Sequence, residues 1–377
     1  MNLLELCYEY PPLGGGGGKV VQGLATNLID LGYNIDVVTM KYNDLPKHEV
    51  SNEINIHRVP CLRASEELCH SYEMATYIAF AMPKLKKLFR SKKYILNHTH
   101  FIFPDGIISY FLKLQTGMPY VITAHGSDVP GYNPDRFKLQ HTFLAPLWNT
   151  VVKNADCIIC PSEIIESLVH KQRRDAKTFV IPNGLEIDKW NSSREKMKSI
   201  LVVTRMFERK GVQYVLDALK GLSHDFEVNI VGDGPYLKVL RDLASKYSVD
   251  VKFWGWLDND SPQLKELFET SRIFVFPSEA ENFPIVLLEA MAARMAIVTT
   301  SGTGCAEVVG DSALLVKPKN SDDIRRALMT LINDPSLCKK LGDSSRNRLE
   351  ENFGWKAVAK RYSDLFHQTM SSSHSTS

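Results

Sequence analysis

Two carboxylates, Glu281 and Glu289, bracket an apolar helix start in Pro277-Ser278-Glu279-Ala280-Glu281-Asn282-Phe283-Pro284-Ile285-Val286-Leu287-Leu288-Glu289-Ala290-Met291-Ala292. With Pro284 in the first helical turn, the residues that follow are apolar on every face but that of Glu289, so a buried helix is expected. An unpaired carboxylate inside it would cost on the order of several kcal/mol. Glu289 therefore has a structural partner or meets a ligand that carries hydroxyls. Its place one turn in from a helix N-terminus favours a ligand that is also anionic. A nucleoside diphosphate, with ribose hydroxyls and a pyrophosphate, meets both demands.

Further residues have the types such a ligand needs. Arg205 and Lys210 flank a loop that leaves a strand and enters a helix opened by Gly211. Two cations beside a helix N-terminus neutralise a pyrophosphate, although isolated surface charges would read the same way. His125 ends the strand expected over Tyr120–Ala124 and is followed by Gly126. A strand's carboxyl end is where α/β sheets bind ligands, whereas a lone histidine is as often a silent hydrogen-bonded one. His98 and His100, one strand earlier, read as structural. The glycine run Gly14-Gly15-Gly16-Gly17-Gly18 lies after the first strand and lets backbone N–H groups approach a phosphate or sugar; a flexible turn is the alternative. Dinucleotide spacing fails, because Lys19 stands where a third glycine belongs and the second strand ends in Met40-Lys41 rather than an acid.

These segments together carry a resemblance. The pattern P-S-x-x-E-x-F-P-x-x-x-x-E-A-M-A is similar to that of the retaining glycosyltransferases of family 4, which have the GT-B fold. Pro11-Pro12 with the glycine run, Thr123-Ala124-His125-Gly126-Ser127-Asp128, Ile181-Pro182-Asn183-Gly184, Arg205 with Lys210-Gly211, Val231-Gly232-Asp233-Gly234-Pro235 and Thr303-Gly304-Cys305-Ala306-Glu307 fall in the same order. The resemblance covers nearly the whole chain. It implies a metal-independent transfer of a hexose-type sugar from a UDP- or GDP-linked donor to a hydroxyl of a glycan or lipid-linked acceptor, in polysaccharide or glycoconjugate biosynthesis. The nucleotide sugar is a co-substrate, and no other cofactor and no metal is expected.

The resemblance also implies roles. His125 lies against the donor sugar, and Arg205 and Lys210 do for the diphosphate what Mg²⁺ does in other transferases. Glu281 holds a donor hydroxyl or supports positive charge at the anomeric carbon, and Glu289 takes the ribose hydroxyls. Asn282 and Phe283 belong to the donor loop, and Gly16 and Gly17 face the donor phosphates and the acceptor. Glu307 reads as structural. Three positions depart from the family pattern: Asn282 and Thr303 stand where glycine is usual, and Arg294-Met295 where a small residue ends the helix. None removes a charge; Asn282 and Thr303 are expected to reshape the sugar pocket.

The elements that must position these residues alternate between apolar runs and amphipathic segments, the pattern of parallel sheets covered by helices. Strands are expected at Leu3–Tyr10, Ile35–Met40, Ile54–Val59, Ile95–His98, Tyr120–Ala124, Cys157–Cys160 and Phe179–Ile181. A second series follows at Ile200–Thr204, Glu227–Val231, Val251–Trp254, Ile273–Phe276, Ala296–Thr299 and Ala313–Val316. The fold class is α/β, with two Rossmann-like doubly wound domains facing across a cleft. Residues 1–188 form the acceptor domain, 189–353 the donor domain, with a hinge near Glu186–Met197. A last helix over Gly354–Met370 returns to the first domain, as the GT-B fold implies, and Ser371–Ser377 is expected to be a disordered tail.

Bulk properties agree with a globular enzyme. The 377 residues exceed one ordinary core, and 44% hydrophobic with 23% charged residues is a globular composition. A net charge of +2 excludes a nucleic-acid binder. The seven cysteines lack regular spacing, and Cys157 and Cys160 lie on a strand where residues three apart point to opposite faces, so they form neither a disulfide framework nor a zinc site. No signal peptide or membrane-spanning run is present, and a cytoplasmic protein is expected. The segment Lys84-Leu85-Lys86-Lys87-Leu88-Phe89-Arg90-Ser91-Lys92-Lys93 is basic and interleaved with apolar residues. It reads as a peripheral contact with the anionic inner face of a membrane, or as a solvated helix face. Two other functions remain open: a non-catalytic nucleotide-sugar-binding subunit of a glycan-assembly complex, and a sugar-phosphate phosphorylase, for which no motif for a lysine-held cofactor is present.

Overall fold

The computed structural model describes residues 1–66, 69–132, 134–190, 193–223, 225–258 and 261–374, with the side chains of 134–143 and 373–374 outside that description. Two compact units result. Unit 1 is Met1–Gly184 with Trp355–Ser377, and unit 2 is Leu185–Gly354.

Unit 1 holds an eight-stranded sheet built from β1 (Asn2–Leu6), β2 (Asn34–Met40), β3 (His48–Ser51), β4 (Ile54–Val59), β5 (Leu96–His100), β6 (Tyr120–Thr123), β7 (Cys157–Cys160) and β8 (Thr178–Val180) in the order β3-β4-β2-β1-β5-β6-β7-β8. All pairs are parallel except β3 with β4. The central strands are apolar on both faces because helices cover both sides. The sequence pattern misses β3, whose His-Glu-Val-Ser is short and mostly exposed, as suits an edge. The first strand also ends at Leu6, four residues before the expected Tyr10.

Unit 2 holds a six-stranded parallel sheet of β9 (Met197–Val203), β10 (Glu227–Val231), β11 (Lys252–Gly255), β12 (Ser271–Phe276), β13 (Ala296–Thr300) and β14 (Ala313–Val316), ordered β11-β10-β9-β12-β13-β14. Its core has two sides: Val202, Leu216, Ile230 and Leu328 on one, and Phe274, Leu288, Met291 and Val308 on the other.

In both sheets the strand order reverses direction once, between β1 and β5 and between β9 and β12. Such a switch point separates two oppositely running crossovers and leaves a crevice at the strands' carboxyl ends. The residues of interest gather at these two places.

Several helix boundaries differ from expectation. The glycine run is not all loop: the helix Gly16–Ile29 begins within it, with Gly15 as its N-cap. Pro284 is the N-cap of Ile285–Ala292 with extended backbone, not a residue of its first turn. The closing helix runs from Trp355 to His374, so Ser371–His374 is helical rather than disordered, while 375–377 lie outside the described residues. Ser371 and Ser372 continue it by donating their hydroxyls to the carbonyls of His367 and Gln368. Residues 191–192 of the expected hinge also lie outside the described residues.

Candidate active site

In unit 1 the switch point is filled by a buried polar chain. Glu5 is the one acid in the apolar strand Asn2–Leu6 and is fully buried. Across the β1/β5 pairing it meets two histidines: His98 Nδ1 lies 3.1 Å from Oε1, and His100 Nε2 lies 2.8 Å from Oε2. The other nitrogens are also used, His98 Nε2 at 2.8 Å from Thr123 Oγ1 and His100 Nδ1 at 3.1 Å from His125 Nε2. Burial alone would raise the Glu5 carboxyl, but the two imidazoles outweigh it and hold it at about 2. Burial and the neighbouring His98 lower His100 to about 4. Burial, then His100 and His98, push His125 well below the usual imidazole range, so it is neutral near pH 7.

Asp128 fixes the backbone around His125. Its carboxylate accepts from the N–H of His125 at 3.0 Å and of Ile102 at 2.7 Å, which ties the loop after β6 to the loop after β5. Burial raises the Asp128 carboxyl to about 6 despite these bonds. Phe101, held in the left-handed region at φ 75°, packs between Tyr8, edge-on, and His125, tilted, with ring centroids 5.0 and 4.4 Å away. A non-glycine residue in that conformation is strained, and its neighbours over-determine it. The glycine helix closes against the same ring. A Cβ on Gly17 would come within 2.8 Å of Phe101 Cζ, and one on Gly18 within 2.3 Å of the Glu9 carbonyl, whereas Gly15 and Gly16 look into open space. Gly17 and Gly18 are thus required by packing, and Gly16 is not.

Glu5, His98 and His100 also present ligand atoms within 4.8 Å of one another, a spacing that suits a metal ion. Each of those atoms already has a hydrogen-bond partner among the four contacts above. A hydrogen-bonded cluster describes them fully.

In unit 2 four loops meet at the β9/β12 switch point, those after β9, β10, β12 and β13. The turn after β9 carries Arg205, which is exposed, and Lys210, which is buried; Gly211 at φ 74° then starts the helix Val212–Leu219. A Cβ at Gly211 would lie 2.2 Å from the Pro277 carbonyl, so only glycine lets this turn touch the loop after β12. Gly232 does the same for the loop after β10, where a Cβ would lie 1.8 Å from the Thr204 carbonyl. The Glu279 N–H donates to the Arg209 carbonyl at 2.9 Å and the Gly304 N–H to the Glu281 carbonyl at 2.9 Å, which joins the loops laterally.

This backbone frame brings Lys210 and Glu281 together as an ion pair through Nζ and Oε1. Ser278 donates to the same Oε1 at 2.7 Å. Lys210 also stands 5.7 Å above the Phe276 ring, and the Arg205 guanidinium 5.7 Å from that of Phe207. Nearby, Glu279 bonds Lys319 at 3.1 Å.

Other expected site residues take less direct places. Glu289 is half-buried, not buried, so the desolvation cost inferred from its apolar neighbours is smaller than the sequence implies. The Phe283 ring packs edge-on against Phe353 at 5.6 Å inside the core, which leaves its backbone amide, not its ring, for a ligand. Asn282 is buried with its carbonyl against Gly304, where a Cβ would lie at 1.5 Å. Thr303 does not line an open pocket: it is buried and caps the helix Gly304–Val309 by accepting from the Cys305 N–H. Arg294 sits at φ 55° after the helix Ile285–Ala292 and pairs with Asp343 at 2.6 Å.

The basic segment also differs in detail. The helix Ser71–Ser91 includes residues 84–91; Lys92 lies beyond it and is paired with Asp36 at 2.6 Å. Lys86, Lys87, Arg90 and Lys93 are exposed, as are the rings of Tyr72 and Phe80. Among the described residues no helix is long and apolar enough to cross a membrane.

The buried Glu5 chain escaped the sequence reading. Its signal was present: a lone acid in an apolar strand needs a buried partner, and His98-Thr99-His100 puts two imidazoles on one face of a strand. Which strand the acid would face was not legible.

Comparisons with known proteins agree with this geometry. The family model described as Glycosyltransferase Family 4 matches residues 14–189, and that described as Glycosyl transferases group 1 matches residues 185–348. An uncharacterized glycosyltransferase of Methanocaldococcus jannaschii is 28% identical over 97% of this chain and 98% of its own length. Sucrose-phosphate synthase from Thermosynechococcus elongatus superposes with a TM-score of 0.81 at 21% identity, covering 99% of this chain and all of that one (100%). An Anabaena protein in complex with UDP superposes with a TM-score of 0.77 at 16% identity, over 98% of this chain and 100% of that one. Both structures share the GT-B fold with this chain.

Proposed function

Starting from the fact that this chain belongs to the family 4 glycosyltransferases, we propose that it is a retaining, metal-independent enzyme. It moves a sugar from a UDP- or GDP-linked donor to a hydroxyl of a glycan or lipid-linked acceptor. Unit 2 takes the donor and unit 1 the acceptor. One observation carries the reading: Lys210 and Ser278 converge on Glu281 at the switch point of the unit 2 sheet. The complex of the Anabaena neighbour with UDP supports a nucleotide ligand for the same fold.

Transfer from a nucleotide sugar needs charge neutralised on the departing diphosphate. Lys210 and Arg205 supply two fixed cations for it, with no divalent ion required. When the diphosphate binds, Lys210 exchanges Glu281 for a phosphate oxygen, which releases the Glu281 carboxylate to a sugar hydroxyl or to the positive charge growing at the anomeric carbon. Glu289, near the N-terminal turn of Ile285–Ala292, takes the ribose hydroxyls, and the amides of Asn282 and Phe283 complete the donor loop. His125 hydrogen-bonds the transferred sugar, and Gly16 and Gly17 present backbone N–H groups to phosphate or acceptor. In a front-face course the departing phosphate takes the proton of the acceptor hydroxyl, and the protein contributes position and electrostatics.

Replacing Glu281 with Gln tests this. Turnover is expected to fall while nucleoside diphosphate still binds; unchanged turnover would remove the assignment. We also place the enzyme in the cytoplasm with the exposed face of Ser71–Ser91 against anionic lipid, supported by Lys86, Lys87 and Arg90 beside the exposed Phe80. The triple change K86E/K87E/R90E should abolish binding to phosphatidylglycerol vesicles without lowering turnover on a soluble acceptor; retained binding would contradict it.

A further inference from the structure

We propose that Glu5 and His100 are positioning residues which lock His125 in the tautomer protonated on Nε2, so that Nδ1 is the ring nitrogen that accepts a hydrogen bond. The accepted bond comes from a sugar hydroxyl when substrate is present, which rests on the assignment of His125 to the substrate site made above.

The direction of every bond in the chain follows from one end. A carboxylate only accepts, so His98 Nδ1 and His100 Nε2 must both donate to Glu5. A neutral imidazole has a single N–H, which leaves His100 Nδ1 as an acceptor. The 3.1 Å contact between His100 Nδ1 and His125 Nε2 is then satisfied only when His125 carries its proton on Nε2. On the other branch His98 Nε2 lies 2.8 Å from the Thr123 hydroxyl, which can donate or accept and whose oxygen lies 3.3 Å from the Tyr362 hydroxyl. On the His100 branch one set of tautomers satisfies both contacts, and the buried carboxylate selects it. The low carboxyl of Glu5 and the depressed imidazoles of His100 and His125 keep those protonation states through neutral pH.

The alternative occupant of the cluster reverses the outcome. A metal ion on Glu5, His98 and His100 would bind His100 through a bare Nε2, force its proton to Nδ1, and make it the donor to His125 Nε2. His125 would then be protonated on Nδ1 and could only donate to substrate. The tautomer of His125 therefore reports which account is right.

The test uses the full chain labelled with ¹⁵N-histidine, with long-range ¹H–¹⁵N spectra and His125 assigned by loss of its signals in His125→Gln. The expected result is a protonated Nε2 and a bare Nδ1, unchanged by EDTA. Protonation on Nδ1, or exchange between the two forms, would overturn the proposal. In Glu5→Leu both imidazoles lose their acceptor and nothing fixes the proton of His100; His125 is expected to show mixed tautomers and kcat to fall at least about tenfold, with KM for the donor changed less. Wild-type kcat in that variant with His125 unaltered would also overturn it. Should Glu5→Leu not fold, the wild-type spectrum decides alone. Full turnover in His125→Ala would instead remove the substrate assignment, a failure distinct from that of the tautomer lock.

Discussion

The two switch points hold opposite kinds of machinery. In unit 1 the fully buried Glu5 carboxylate is bracketed by two imidazoles, and every bond in the chain is made within the protein. In unit 2 the charges are opposite and partly exposed: Lys210 pairs with Glu281, and Arg205 extends into solvent. The first arrangement changes little when a ligand arrives, because its geometry is already satisfied. In the proposed reaction the second has to change, because there Lys210 gives up its carboxylate to serve a phosphate. In the proposed reaction position and charge are thus provided by different sheets, each at the place where its topology opens a crevice.

The contrast is broken most severely in unit 2. Lys210→Ala removes the buried cation and leaves Glu281 unpaired, and kcat should fall by about 10² to 10³ in steady-state diphosphate release. An effect below tenfold would mean that Lys210 only holds the loop. Arg205→Ala, at an exposed position, should weaken nucleotide binding by about tenfold in calorimetry and leave the fold intact.

Acid sharpens the comparison from the other side. His100, at about 4 against 6.5, contributes stability that is complete above pH 6.5 and lost as pH falls toward 4. Glu5, at about 2 against 4.5, contributes stability that is complete above pH 4.5 and lost toward pH 2. Asp128, at about 6 against 3.8, works the other way and gains stability as pH falls through that window. Each is worth on the order of 3 kcal/mol. The Asp128 gain offsets much of the His100 loss, so the decline contributed by this chain should be steepest below pH 4.5 and should be missing in Glu5→Leu. Urea unfolding between pH 7 and 3.5 checks this, followed by the fluorescence of Trp148 and Trp355 in a variant with Trp190, Trp254 and Trp256 changed to Phe. The same pH dependence in wild type and Glu5→Leu would contradict the buried chain.

The smallest expected effect separates packing from ligand contact. Gly17→Ala collides with Phe101 and should lower both thermal stability and turnover. Gly16→Ala meets nothing within 4 Å, so its melting temperature should hold or rise. Lost turnover in that variant would report a ligand at the glycine backbone, and normal turnover would remove Gly16 from the site.

Much of this was legible in the residues and some was not. Strands such as Ile54–Val59 and Glu227–Val231 carry their own signal, because apolar runs bounded by turn residues fit little else. The edge strand His48–Ser51 carries none, being polar and paired only on one side. The loop residues Lys210 and Glu281 were found by motif, 71 positions apart, but nothing local to either implies that they pair. Glu5 and His98 are separated by 93 positions and meet only because β1 and β5 are neighbours at a switch point. Local pattern shows which residues are unusual, and strand order decides which of them meet.

The measurement that bears most directly on the proposed activity is nucleoside diphosphate release from a panel of UDP-, GDP- and ADP-sugars, with EDTA present and crude lipid and saccharide acceptors added. Release from one donor at an undiminished rate in EDTA is expected if, as proposed, Lys210 and Arg205 carry the countercharge. Release that requires added Mg²⁺ or Mn²⁺, or nucleotide binding without release from any donor, would contradict it.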